Sequence, residues 1–247
     1  MKLRKLMISK SELLYIPPEE RALFIQLANF NNDINILQKL MVIAGNTRDK
    51  VAENEIVGRS LSSQCIFFMR IQAGKLYEGW NMLRENFFNN KTFSKQYNKK
   101  SSSQGKESLS NLKEYFGKDN LIKNIRNTYT FHYSDDSSNN MLKQLSNAPD
   151  SEIFEMYFAK ESGNCFYPIA YDLLNLSILE EINSDDWAKA MNDFFQEIID
   201  VTKCFLDFTS DCIKVIVEKY FKLEYEEVEI PEPPSLNDIT LPFFVKR

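Results

Sequence analysis

Arg126, Asn127 and His132 stand within one short segment, IRNTYTFHY over 125–133, and His132 is the only histidine among 247 residues. An imidazole takes and gives protons near neutral pH, its unperturbed pKa being ~6.5. A guanidinium offers a planar, permanently charged fork that matches phosphate oxygens. A carboxamide beside them can orient either group. Metal-free cleavage of a ribose phosphodiester asks for such a set: a base for the 2′-hydroxyl, an acid for the leaving oxygen and a cation for the phosphorane charge. One imidazole is too few for separate acid and base. This reading therefore requires a symmetric dimer in which two copies of the segment face each other. The rival reading is a structural histidine packed between Phe131 and Tyr133, and spacing alone leaves both open.

Helical geometry constrains how the three residues can meet. At ~100° per residue, Arg126 and His132 lie about 240° apart around a straight helix, on different faces. Thr128 shares a face with His132, and Tyr133 shares one with Arg126. For Arg126 and His132 to act together, either the helix frays before His132 or the two residues meet across two subunits. The following HYSDDSSNN suits a helix end, where the dipole favours a histidine cation.

The segment closes a basic stretch. Residues 91–126 hold nine positive side chains against three negative, a local excess of +6 in a chain whose total is −5. Phe93 and Tyr97 are interleaved with the lysines, and Lys123 lies just before the Arg/Asn pair. A polyanion can be drawn to such a stretch despite the acidic whole. The alternative is a solvated lysine loop.

The elements that must position these residues read as helices. Only seven glycines occur. After PPEE, whose prolines and acids suit a first turn, Leu23, Leu27, Phe30, Ile34, Leu37 and Met41 form one stripe, and Gly45 is the expected cap. A second helix is expected over about 50–88, with Gly58 or Gly74 as possible breaks and Ile66, Phe67, Met69, Leu76, Trp80 and Leu83 as its apolar positions. The run NNKTFSKQYNKKSSSQGK reads as a polar loop. SLSNLKEYFGK reads as a short helix ending at Gly117, and a further helix restarts with Asp119 or Asn120 as N-cap. Residues 152–171 hold two aromatic, β-leaning runs around a turn at Gly163, the pattern of a hairpin. A long last helix carries Trp187, Met191, Phe194, Ile198, Val201, Phe205, Phe208, Cys212 and Val215 at steps of four and three, a stripe suited to antiparallel bundle packing. From about Leu223 the tail should run extended, docked through Phe243 and Phe244.

Composition excludes several classes. No stretch approaches the ~20 apolar residues of a membrane span, and MKLRKLMISKSELLY lacks the apolar run of a signal peptide. Cys65, Cys165, Cys204 and Cys212 form no CxxC pair. With one histidine they build no zinc site of usual spacing, and they read as reduced thiols of a cytoplasmic protein. Asp135-Asp136 and Asp185-Asp186 read as turn or first-turn carboxylates rather than metal ligands, and Cys212 as a buried thiol. No metal and no cofactor is expected.

The Arg126-Asn127 pair followed after four residues by His132 resembles the signature of HEPN-domain proteins. IRNTYTFHY is especially similar to an RN…FHY version of it. PPEERALFIQLANFNNDINILQKL and AGKLYEGWNML are similar to the first two helices of that group, so the resemblance covers about residues 15–135. It implies a bundle of four or five helices. The hairpin and the tail lie outside it, so the whole chain is expected as one helical domain over 1–247, with a hairpin insertion at 152–171 and an extended tail at 223–247 read from their own residues. It implies a metal-independent endoribonuclease of bacterial defence or toxin–antitoxin systems, with a composite site at a homodimer interface and an antitoxin or defence protein as partner. Arg126 and His132 would be catalytic, with Asn127 orienting them. Glu78 would point from the second helix toward the site, and Tyr133 and Lys123 would contact substrate. The family also includes inactive members, so a non-catalytic dimerisation or nucleotide- or protein-binding module is the alternative.

Overall fold

A computed structural model describes residues 1–51, 54–130, 135–182 and 186–246. The chain is mainly α-helical with one small antiparallel sheet. Helix α1 spans Lys10–Tyr15, α2 Pro18–Val51, α3 Glu55–Met82, α4 Lys91–Lys100, α5 Ser103–Phe116, α6 Leu121–Ile125, α7 Asp135–Asn147, α8 Pro168–Ile182 and α9 Trp187–Tyr220. Two π-helical segments, Leu83–Phe88 and Arg126–Thr130, extend α3 and α6. Strands β1, Lys2–Leu6, and β2, Tyr225–Glu229, form the sheet. Among the described residues no helix is long and apolar enough to cross a membrane.

The residues gather into two compact units: Met1–Asn35, Lys75–Asp119 and Asp200–Ser235 in the first, Ile36–Gly74, Asn120–Ile199 and Leu236–Arg247 in the second. In the first, Leu23, Leu27, Phe30 and Ile34 of α2 are buried, as are Val201, Phe205, Phe208, Cys212 and Val215 of α9. These are the expected stripes, and α9 starts and runs as its periodicity predicts. Aromatic rings fill the space between them. Trp80 stacks on Phe116 at 5.0 Å, and Phe116 meets Phe205 at 5.9 Å. Glu20, almost fully buried, is satisfied by the Lys219 ammonium at 2.9 Å and by the Tyr220 hydroxyl at 2.8 Å. The Cys212 thiol is sealed in this core, and burial pushes its pKa up.

The run around Phe93 and Tyr97 is not a loop. It forms α4, because these two rings four residues apart fall on one helical face and are fully buried. Asn90 caps α4 by accepting from the Phe93 amide at 2.9 Å, and Ser102 caps α5 by accepting from the Gly105 amide at 3.0 Å. Helix α5 ends against Gly117 as expected. With Phe93 and Tyr97 inward, Lys91, Lys95 and Lys99 are exposed at helical spacing.

Close helix approach explains one glycine. A β-carbon on Gly79 of α3 would lie 2.3 Å from Cε2 of Phe30, whose ring is itself held 5.1 Å from that of Phe205. Gly79→Ala gains about 1 kcal/mol of helix propensity but overpacks a buried ring, a cost of roughly 1–3 kcal/mol. We expect a net loss of up to about 2 kcal/mol, read as a lower urea midpoint at unchanged m-value.

In the second unit α2 continues past Gly45 to Val51 instead of capping there, since Ala44 and Thr47 go on presenting a buried face. Helix α3 passes unbroken through Gly58 and Gly74, and Phe67, expected inside, is exposed. The expected hairpin at 152–171 reduces to one bridge. Tyr157 and Phe166 exchange amide hydrogen bonds of 2.8 and 2.9 Å around a 3-10 turn at Ser162–Asn164. Pro168 then opens α8, its fixed φ suiting a first helical position and ending the strand pattern. Arg59 of α3 ties this segment down by pairing with Glu155 at 2.6 Å and Asp172 of α8 at 2.8 Å. The tail reaches this segment through Phe243. The Phe243 ring meets Phe166 edge-on at 5.2 Å, and Asn164 both donates to and accepts from the Val245 backbone. The strand pairing of β2 with β1 is an addition to the expected extended tail. Lys2 and Lys5 face Glu227 and Glu226 across it, exposed pairs that add little stability.

Candidate functional site

Asn120 starts the segment. Its side chain accepts from the Lys123 amide at 2.9 Å, resolving the choice between the two predicted caps. Helix α6 buries Ile122 and Ile125, and the chain then widens into the π-helical turn Arg126–Thr130, where Tyr129 is buried. A π turn shifts the backbone hydrogen bonds by one residue, and such turns are rare and frequent at functional sites.

Side chains from elsewhere hold this turn. The Arg70 Nε of α3 donates to the Tyr129 carbonyl at 2.9 Å. The Thr130 hydroxyl lies 3.1 Å from both the Arg70 and the Ile125 carbonyls. Asn140 of α7 donates to the Tyr129 hydroxyl at 2.8 Å. The turn is therefore fastened to α3 at its end and to α7 through its ring. Arg70, Thr130 and Asn140 were not singled out by the sequence. Arg70 reaches a backbone carbonyl 59 residues away, and no spacing rule points to such a partner.

At the start of the turn Arg126 is half-buried, and its Nη1 donates to Oδ1 of the exposed Asn127 at 3.1 Å. The two predicted residues are thus in contact, with the carboxamide fixing one edge of the guanidinium. Lys123, also half-buried, lies three residues earlier, a spacing that puts it on the same side as Arg126. His132 and Tyr133 lie outside the described residues, as does Asp185. Glu78 is exposed on the part of α3 that belongs to the first unit, whereas Lys123, Arg126 and Asn127 belong to the second.

The paired acids fall where carboxylates stabilise helix starts. Asp135 and Asp136 occupy the first turn of α7, and Asp186 accepts from the Lys189 amide at 3.0 Å at the start of α9. All four cysteines are free thiols. Among the described residues no three His, Cys, Asp or Glu side chains gather as a metal-ion set.

Chemically, the turn presents a cation hydrogen-bonded to a carboxamide, with a further lysine one turn away. That suits holding an anionic oxygen. No protein-family model, no curated protein and no solved structure matches the chain.

Proposed function

We propose that this protein is a metal-independent endoribonuclease of HEPN type, acting as a homodimer in bacterial defence or a toxin–antitoxin response. One observation carries the reading: Arg126 is braced by Asn127 at the head of a π turn to which Arg70, Thr130 and Asn140 contribute hydrogen bonds. A phosphate clamp needs its fork aimed before substrate arrives, because preorganised charge needs no rearrangement during reaction.

The reaction follows from the residue chemistry. A His132 imidazole takes the proton of a ribose 2′-hydroxyl, and the freed oxygen attacks the adjacent phosphorus. The bond from phosphorus to the 5′-oxygen breaks as the 2′-oxygen bond forms. His132 of the second protomer, protonated, gives its proton to the departing 5′-oxygen. The products are a 2′,3′-cyclic phosphate and a 5′-hydroxyl. Arg126 balances the charge on the phosphorane oxygens, Asn127 holds Arg126, and Lys123 and Tyr133 contact the strand. Glu78 is the weakest member, since only the resemblance brings it to the site.

The rival reading, a non-catalytic helical module, draws on the buried Tyr129 and on Arg70 bound to a backbone carbonyl, both structural uses of the same turn. Incubation of mixed RNAs with the protein in EDTA separates the two. Cyclic-phosphate ends that appear with wild type and disappear with Arg126→Ala support cleavage. RNA left intact by wild type across varied sequences sinks it.

The exposed lysines of α4 supply a second expectation. Each phosphate contact on single-stranded nucleic acid adds about 0.7 to the slope of log affinity against log salt. If Lys91, Lys95 and Lys99 each meet one phosphate, replacing all three with Gln lowers that slope by roughly 2. RNA binding titrated from low to high salt reads it, and an unchanged slope returns α4 to a solvated face.

A further inference from the structure

We infer that the cavity walled by α2, α3 and the start of α9 binds a small organic anion with an apolar, ring-bearing body. This site lies in the second unit and does not depend on the RNA reading. Its volume is about 470 Å³, within the range of small-ligand pockets. The inner wall comes from Met41, Ile66, Met69, Met191 and Phe195. Three of these five are methionines, whose flexible, polarisable side chains adapt to flat rings and make favourable sulfur–aromatic contacts.

Gly45 gives an independent sign that the space is meant to be open. It lines the cavity in the interior of α2, where glycine weakens a helix. Gly79, by contrast, has a packing reason under Phe30. At Gly45 an added β-carbon would meet no atom within 4 Å. What its missing side chain preserves is cavity.

The head-group preference comes from the rim. Arg48 and Asp49 both lie there, and among the described residues no carboxylate forms an ion pair with Arg48. Burial pushes the Cys65 thiol in the cavity wall up to about 11, with Arg48 lowering and Asp49 raising it. An acid group placed beside the Arg48 fork is favoured. Cys65 itself stays a neutral thiol that an apolar body can touch.

Two dyes with the same ring body test this. 1-Anilinonaphthalene-8-sulfonate carries an anionic head, and N-phenyl-1-naphthylamine carries none. Fluorescence titration should show one saturable site per chain for each. Arg48→Gln should weaken the sulfonate about tenfold, the scale of one charge-assisted hydrogen bond, and leave the neutral dye unchanged. Gly45→Leu should weaken both at least tenfold by filling the cavity, while Gly45→Ala should raise the melting temperature and keep the fold. Binding untouched by Gly45→Leu would place the dyes on exposed apolar surface and overturn the proposal. Equal loss of both dyes in Arg48→Gln would overturn the anion preference. Should Gly45→Leu fail to fold, wild type labelled with carbon-13 methyl methionine decides. The sulfonate dye must move the Met41, Met69 and Met191 methyl signals saturably, and movement confined to the exposed Met7 and Met156 sinks the site.

Discussion

His132→Ala is expected to take RNA cleavage in EDTA below detection while leaving the helical spectrum and the urea midpoint unchanged. A positioned acid or base contributes about 10²–10⁴-fold. On the proposed homodimer the substitution removes both at once, since each protomer would supply one imidazole. Subunit mixing makes the claim quantitative. If one site needs both imidazoles, activity follows the square of the wild-type fraction. An equal mixture of wild type and His132→Ala, allowed to exchange subunits, then retains about a quarter of wild-type activity. If each site uses one imidazole, it retains about half. Arg126→Ala should cost roughly 10²–10³-fold, the scale of one lost donor to a developing oxyanion. Arg126→Lys should recover little of this, because an ammonium keeps the charge but not the fork that Asn127 braces. A cleavage rate equal in wild type and His132→Ala would defeat the proposed mechanism.

Much of this architecture could be read from periodicity, and the departures have particular causes. The stripes of α2 and α9 were legible because single apolar faces repeat over many turns. Gly45 misled because a glycine after a helical stripe usually caps it, whereas here the buried Ala44 and Thr47 carry the helix onward. Helix α4 was hidden by its lysines. Its only inward signal is Phe93 and Tyr97 at a spacing of four, two rings among polar residues, and their burial becomes decisive only once Phe87 and Phe208 close around them. The aromatic run before Pro168 looked like strand because it is β-leaning, yet Ile153 and Phe158 are exposed and a single bridge forms. The pairing of the two terminal strands was visible as charge, KLRK against EYEEVE, but nothing local links residues more than 200 positions apart. At the candidate site the Arg126–Asn127 contact was legible as adjacency. The π turn was not, since it depends on Arg70 and Thr130 meeting backbone carbonyls, and backbone partners leave no trace in side-chain spacing.

Phe208→Ala should produce a large loss of stability in the first unit. The ring is fully buried and meets Phe87 at 5.2 Å and Tyr97 at 5.2 Å, both edge-on. Phe87 in turn meets Tyr97 at 5.3 Å and Phe93 at 5.8 Å, again edge-on. Four rings from α9, the π-helical end of α3 and α4 thus form one interlocked cluster, and each edge-on pair adds about 0.5–1.5 kcal/mol beyond burial. Truncating a buried phenylalanine costs about 3–5 kcal/mol, the spread depending on how far the cavity collapses. Collapse is hindered here. The Tyr97 hydroxyl donates to Asp211 at 3.2 Å, and the same carboxylate accepts from the Ser102 amide at 3.0 Å, so Tyr97 cannot shift without disturbing the start of α5. At 2–4 °C per kcal/mol for a chain of this size, the melting temperature should fall by roughly 6–20 °C. Phe158→Ala is the matched control. Its ring is 73% exposed, and its removal should stay within about 0.5 kcal/mol. Equal midpoints for the two variants would mean the cluster is not the keystone of the unit. Hydrogen exchange adds a local reading. Helix α4 buries only Phe93 and Tyr97, so its amides should lose protection first in Phe208→Ala. The exposed lysines then lose their fixed spacing, and RNA affinity should fall in the same variant although no phosphate contact has been removed.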